Sequence, residues 1–567
     1  MKTKKICVKL TTVTLCIASI AGACACGTDN EPTSENVRFR NTATLAYVPL
    51  DDRPVNVDRV QALAESLDYT LAMPDADLYS THLDNQTKNS NGTQYGDRNA
   101  ILTWLQNTPA DCYLLSLDQL LSGGLVNSRV MREDSLEASF AIVDQVLELI
   151  GEKPAVVFDS VMRLASTVGY NGYGMDVYDA LRAYGSVARA PLSGEALTVE
   201  NITAGYPFDA EGKEIATNLD ESVISDYFRS RERKLRLSEY YLTRVREKAN
   251  VYNYFGIDDS SPQTTIQTNE VALLRGLCAH GTVFSGLDEL GLTGVTKLYR
   301  SNLKNELSAQ VVYYGGGEDE AGDDYDTGTL KENVDGHLAT LGVTQGENAQ
   351  LKIMILTKPG KDAGTAYAAA RDTMIEEIRT AQNAQTPLIV IDASTPAHYG
   401  MLQYSLVRKT KLGLILGYSN WNTSSNTVGI ALANGIGRYA YLRYGETTER
   451  GHDGFLKTLA ISYVKDICYK ISKMPLIENQ LVTAGYDTSN FYAQVTDWDA
   501  FYAEPLKTLT ENSDARGVKS VLDRLNATEI IVSLDGYAAA QHKTVSVSEF
   551  EFPWYRTFEL RFTVALS

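Results

Sequence analysis

Three pairs of adjacent acids, Asp51–Asp52, Asp258–Asp259 and Asp288–Glu289, stand just after short apolar runs. Neighbouring carboxylates repel, and a turn that only ends a strand uses Gly, Asn or Ser at lower cost. Gathered carboxylates do have a chemical use. Crowding raises the pKa of one until it can donate a proton, while a nearby arginine keeps another ionised. The first pair lies in YVPLDDRPVN (47–56), which also supplies Arg53. Asp118 follows CYLLSL; Asp159 follows AVVF, with Arg163 one turn on. Asp392 follows LIVI, and Asn420, Trp421, Asn422 and Asn426 follow LGLIL. Asp and Asn also cap helices, as expected for Asp58 before RVQALAES and for Asn269 with Glu270 before VALLRGL. Capping alone does not call for acids in pairs.

Other chemistries lack their residues. The six histidines show no HxH or HExxH spacing, and GxxxxGK[ST], GxGxxG and GxSxG are missing. No metal site and no cofactor are expected. The acidic stretch GGGEDEAGDDYDTG (315–328) lacks calcium-loop spacing and reads as a solvated loop. Carboxylate acid–base chemistry remains, and glycosidic cleavage is its natural form: one acid protonates the leaving oxygen and another group stabilises the oxocarbenium-like centre. FGIDDSS (255–261) is locally similar to the acid pairs of N-acetylhexosaminidase barrels, where the sugar's own acetamido group attacks. On that likeness Asp259 is the general acid and Asp258 orients the acetamido or hydroxyl group.

The start of the chain addresses it for export. Lys2, Lys4, Lys5 and Lys9 precede an apolar stretch ending in small residues, a signal peptide over 1–23. IASIAGAC resembles a lipobox, which makes Cys24 the lipidated residue, with Cys26 second, and 24–42 a polar tether. A membrane lipid anchor, or secretion, is the expected localisation. Cys112, Cys278 and Cys468 are far apart and odd in number, so they read as buried small hydrophobes rather than a disulfide framework. The net charge of -19 falls to -23 without the four signal lysines, which excludes nucleic acid as a partner. A carbohydrate or other small polar ligand, neutral or cationic, is expected instead.

The elements that must position these residues alternate throughout. Ten apolar runs (44–48, 69–73, 112–117, 155–158, 251–255, 282–284, 310–314, 352–356, 388–391 and 412–416) are separated by helical patterns such as VDRVQALAESL and EASFAIVDQVLELI. Runs apolar on both faces and joined by helices predict parallel sheet in an α/β fold. A TIM-barrel-like arrangement is the leading form, and two doubly wound domains are the alternative. Both bring the strand ends onto one face. The expected organisation is 43–305, with an insertion at 160–248, then 306–485, then a small α+β cap over 486–567. The charged helix YFRSRERKLRLSEYYLTRVREK inside the insertion reads as a solvated face.

PLDDRPVN, SLDQLLSGGLVNSR, VMR, DDSS, SGLDELG, YSNWNTSSNTVG and FPWYRTFEL occur in the order of a bacterial family of unknown function marked by its PLDDRP motif, which the chain resembles from about residue 43 to its end. The placement of its motifs at strand ends reads as one shared site. Its motifs fall here on Asp51, Asp52, Arg53, Asn56, Asp118, Arg129, Arg163, Asp258, Asp259, Asp288, Glu289, Trp421, Asn422 and Asn426. Asp258 and Asp259 are the catalytic candidates and the other twelve are substrate-binding. Arg556 and Glu559 are expected to dock the cap. The resulting expectation is an exported glycoside hydrolase. A non-catalytic glycan-binding lipoprotein and a magnesium- or calcium-dependent hydrolase are the alternatives.

Overall fold

The apolar runs become strands because helices cover both of their faces. The computed structural model describes residues 38–130, 135–394, 401–511 and 514–567; the expected signal peptide, Cys24 and most of the expected tether lie outside the described residues. Strands β1 (Thr44–Val48), β2 (Thr70–Ala72), β3 (Cys112–Ser116), β4 (Ala155–Val161), β5 (Val251–Ile257) and β6 (Gly281–Ser285) form a parallel sheet in the order β2-β1-β3-β4-β5-β6. Strands β7 (Leu307–Tyr314), β8 (Val343–Gln345), β9 (Leu351–Leu356), β10 (Leu388–Asp392) and β11 (Ile415–Ser419) form a second, in the order β11-β10-β9-β7-β8. In each sheet the chain starts inside, steps one place outward, then returns past its start and continues on the other side.

The α/β class therefore holds, in its doubly wound form rather than as one closed barrel. A barrel would need β3 beside β2, whereas β3 pairs with β1, Leu45 opposite Cys112. The reversal leaves β2 and β6 as open edges. Ligands of such sheets bind beyond the carboxyl ends of the strands. Every one of the ten runs overlaps a strand, although 412–416 does so only at Ile415 and Leu416, after a 3-10 turn at Leu412–Leu414. The additional strand, β8, is the three-residue VTQ, too short and polar to be read as an apolar run.

The two sheets fall inside the expected regions 43–305 and 306–485, yet Phe39–Ser567 is one compact unit. A single apolar core runs from Leu45 and Leu114 through Val295 and Leu432 to Ile353 and Ile389. Helix Ser424–Tyr444 is buried nearly along its length and packs on β11 and on helices Leu290–Ser301 and Leu330–Thr340. Small residues permit this approach: a Cβ at Gly429 would lie 2.1 Å from Glu289 Cγ, and one at Gly435 2.3 Å from Ile389 Cγ1.

The insertion forms helices Met175–Ser186, Val199–Ala204 and Glu221–Val245. The last of these corrects the solvated-face expectation, because Arg231, Arg233 and Lys234 are buried. Arg231 donates from Nε and Nη2 to Glu270, at 2.9 and 2.6 Å. Lys234 Nζ donates to Asp118 at 2.6 Å and Asp159 at 2.7 Å. Glu270, expected as a cap, sits inside helix Gln267–Leu277 and is engaged by this arginine. Beyond 486, Val545–Glu551 pairs antiparallel with the closing strand Arg561–Leu566. Between them Trp554 and Tyr555 turn through positive φ, 55° and 49°. Among the described residues no helix is long and apolar enough to cross a membrane.

Candidate functional site

Loops after β1, β4, β5 and β6, the start of helix Ser424–Tyr444 and the closing PWYRTF turn surround a cleft of about 420 Å³. Eight of the fourteen expected residues line it: Arg53, Arg129, Arg163, Asp258, Asp259, Asp288, Asn422 and Asn426. Each acid among them has its own arginine. Arg129 Nη2 donates to Asp258 Oδ2 at 2.5 Å, and Arg163 Nη1 to Asp259 Oδ2 at 2.9 Å. Arg53 grips both oxygens of Asp288, Nη2 to Oδ1 at 2.7 Å and Nη1 to Oδ2 at 3.3 Å. The sheet explains the convergence: parallel strands in register deliver the residues after each carboxyl end to the same side.

The electrostatics set the acids apart. Burial raises the pKa of Asp258 above the ordinary carboxylate value; Arg129 opposes this and the charge of Asp259 adds to it. Burial likewise raises Asp288, against the pull of Arg53. Arg129 is held below the usual guanidinium value by burial and then by the charge of Arg163. Asp259 is the more open acid, with 24% of its side chain exposed against 8% for Asp258.

The other six expected residues do not line the cleft. Asp51 is fully buried and accepts from Arg53 N, Arg53 Nε and Asn56 Nδ2 at 3.0, 2.9 and 2.8 Å, which shapes the LDDRP turn. Asp52 accepts from Thr81 N at 3.1 Å and Trp554 Nε1 at 2.9 Å, and burial raises its pKa. The adjacent pair thus divides its work: Asp51 holds the loop and Asp52 ties the closing turn to it. Asp118 takes Ser160 N and Oγ at 3.0 and 3.1 Å in addition to Lys234. Glu289 is fully buried 3.0 Å from His337 Nε2. Trp421 is also fully buried, with Arg59 and Lys470 over its ring at 5.3 and 4.8 Å. These residues support the cleft from behind: the carboxylates and Asn56 bond to protein partners, while Glu289 Oε2 and Trp421 Nε1 are buried without a hydrogen-bond partner among the described residues.

Several lining residues had no usable sequence signal. Asp326 comes from the acidic loop expected to be solvated. Its Oδ2 accepts from Ser425 N at 2.8 Å, and its Oδ1 from Ser425 Oγ at 2.5 Å and Ser285 Oγ at 3.3 Å. Asp323 Oδ2 accepts from Ser424 N at 2.5 Å. Both acids answer unpaired N–H groups at a helix start, where negative charge is favoured. Tyr178, Tyr325, Trp554 and Phe558 supply aromatic wall. Arg556 both docks the cap and lines the cleft: Nε donates to Ser489 O at 2.6 Å and Nη2 to Val168 O. Glu559 only docks, 2.9 Å from the buried Lys465.

A family model described as "Protein of unknown function (DUF4127)" matches residues 45–563. A search of the curated proteins finds no match.

Proposed function

This chain belongs to the DUF4127 family, and we propose that it is a glycoside hydrolase whose sugar enters the cleft beyond β5. One observation carries the reading. Four acids line the cleft, and two are fully engaged: Asp288 by Arg53 through both oxygens, Asp326 by Ser425 and Ser285. Asp258 and Asp259 each give only Oδ2 to an arginine, and their Oδ1 atoms have no protein partner among the described residues. Two adjacent acids with open oxygens are what a leaving-group donor and a charged stabiliser require.

The environments favour the roles in the reverse of the order expected from the sequence. Asp258, the deeper acid with the raised pKa, is the proton donor. Asp259, more exposed and ion-paired with Arg163, is the anion that faces the developing positive charge or holds an acetamido N–H. Tyr178 and Trp554 offer faces for a sugar ring, and Asn422 a hydroxyl contact. Because arginines already occupy one oxygen of each acid, a sugar with its own hydrogen-bonding groups suits the cleft better than a hard cation.

Chromogenic glycosides, both N-acetylhexosaminides included, test this on the soluble chain. Release is expected from at least one and should be lost in Asp259→Asn, because every leaving group needs the charge stabilised. No release from any glycoside or polysaccharide counts against hydrolysis and favours a binding protein. Export with a lipid on Cys24 stays part of the proposal; a labelled fatty acid should enter the wild-type protein and not Cys24→Ala.

A further inference from the structure

Four guanidinium groups, of Arg53, Arg129, Arg163 and Arg556, line one cleft. Three are matched by carboxylates: Arg53 with Asp51 and Asp288, Arg129 with Asp258, Arg163 with Asp259. Arg556 forms no ion pair among the described residues. Its Nε and Nη2 donate to the carbonyls of Ser489 and Val168, which fixes the plane of the group and leaves Nη1 without a protein partner among the described residues. A second cation stands at this end: Lys470 lies 3.9 Å over the ring of Phe558, which lines the cleft, and forms no ion pair among the described residues, although the charges of Glu559, Glu478, Asp466 and Asp288 reach it.

A fixed guanidinium in a cleft, with donors to spare and no counter-charge, is a receptor for an oxyanion. We propose that the saccharide taken by this cleft carries an acidic substituent, a carboxylate or a sulfate, that sits on Arg556. The inference rests on the reading of the cleft as a sugar site and names its substrate class. The charge balance supports it. Burial, then Arg163, Arg53 and Arg129, hold Arg556 down at about 9, and Asp487 opposes this without forming an ion pair. An incoming anion removes that penalty, whereas a neutral sugar leaves it. The chain as a whole, at -19, repels anions, so the selectivity has to be local.

Calorimetric titration of the full chain with methyl glucuronide, methyl glucoside and methyl glucoside 6-sulfate tests the proposal. These probes differ at one carbon, and the two acidic ones separate carboxylate from sulfate. At least one acidic probe should bind about tenfold or more tightly than the neutral one, a charge-assisted contact's contribution. The preference should vanish in Arg556→Gln and persist in part in Arg556→Lys. A readout on the wild-type chain guards against misfolding of the variants: the acidic probe, and not the neutral one, should protect Arg556 from an arginine-specific dicarbonyl reagent, read by peptide mass. Equal affinities with equal protection, or an acidic preference that survives Arg556→Gln, would overturn the proposal. Acidic preference without turnover of any glycoside would sink the hydrolase reading alone. Turnover of neutral glycosides with no acidic preference would sink only this one.

Discussion

Lys234→Met isolates the part of the fold on which the cleft leans. The Lys234 ammonium is shared by Asp118 and Asp159 at 2.6 and 2.7 Å, with each of the three side chains less than a tenth exposed. Removing it leaves two carboxylates facing each other in the interior. Breaking a buried pair from one side costs about 3–5 kcal/mol, and with two acids orphaned the upper part of that range applies. The pH dependence gives a sharper signature. Burial, with help from Asp118 and against Lys234, already pushes Asp159 up to about 6, while an unfolded Asp titrates near ~3.9. Between those values the native state binds the extra proton, so this group's contribution to stability falls as pH rises through the window. Without Lys234 the native pKa climbs further, and the fall steepens and extends upward. Urea denaturation at pH 5 and pH 7 should therefore show a deficit that shrinks at the lower pH. Asp118→Asn added to Lys234→Met should recover a substantial part of it. A deficit under about 1 kcal/mol, or one that is the same at both pH values, would mean that Lys234 does not hold these two carboxylates. Because Asp118 lies in the first turn of helix Leu117–Ser122, which leads through Gly123 and Gly124 towards Arg129, activity should fall as well.

Three further outcomes follow from single contacts. Burial and the neighbouring Arg438, 2.6 Å from its Nδ1, hold His452 down at about 4; its imidazole proton resonances should not titrate between pH 5 and 8, and a midpoint near 6.5 would contradict this environment. Trp554→Phe removes the Nε1 donor of the half-buried Asp52 and should cost about 1–3 kcal/mol, read as a lower melting temperature, with weaker ligand binding; an unchanged melting temperature would mean that the closing turn is held otherwise. Gly429→Ala places a methyl 2.1 Å from Glu289 Cγ and should destabilise by about 1–3 kcal/mol through overpacking; a neutral result would show that the helix has room to shift.

Strand ends were the legible part. Apolar runs give the strands, parallel order brings their carboxyl ends together, and arginine and acid side chains there form the cleft. The sheet count per domain was not legible, because strand order is decided by which strand β3 pairs with, and Leu45 opposite Cys112 has no marker in either segment. Burial of charge was misread for one reason throughout. A charged helix or acidic loop looks solvated until its partners are known, and the partners of Lys234 and Asp326 lie about a hundred residues away in the chain, at Asp118 and Ser425. Conversely, Glu289 and Trp421 follow strands like true site residues, yet their side chains turn into the core between the sheets.

The division of labour between Asp258 and Asp259 is read out by leaving-group dependence. Turnover of aryl glycosides with graded leaving groups would be measured for wild type, Asp258→Asn and Asp259→Asn. A leaving group that departs without protonation does not need the acid, whereas every substrate needs the charge stabilised. Asp258→Asn should therefore lose about 10²–10⁴-fold on poor leaving groups and far less on dinitrophenyl glycosides, and Asp259→Asn should lose activity on all of them. Equal losses in both variants across the series, or none in either, would contradict this division of roles.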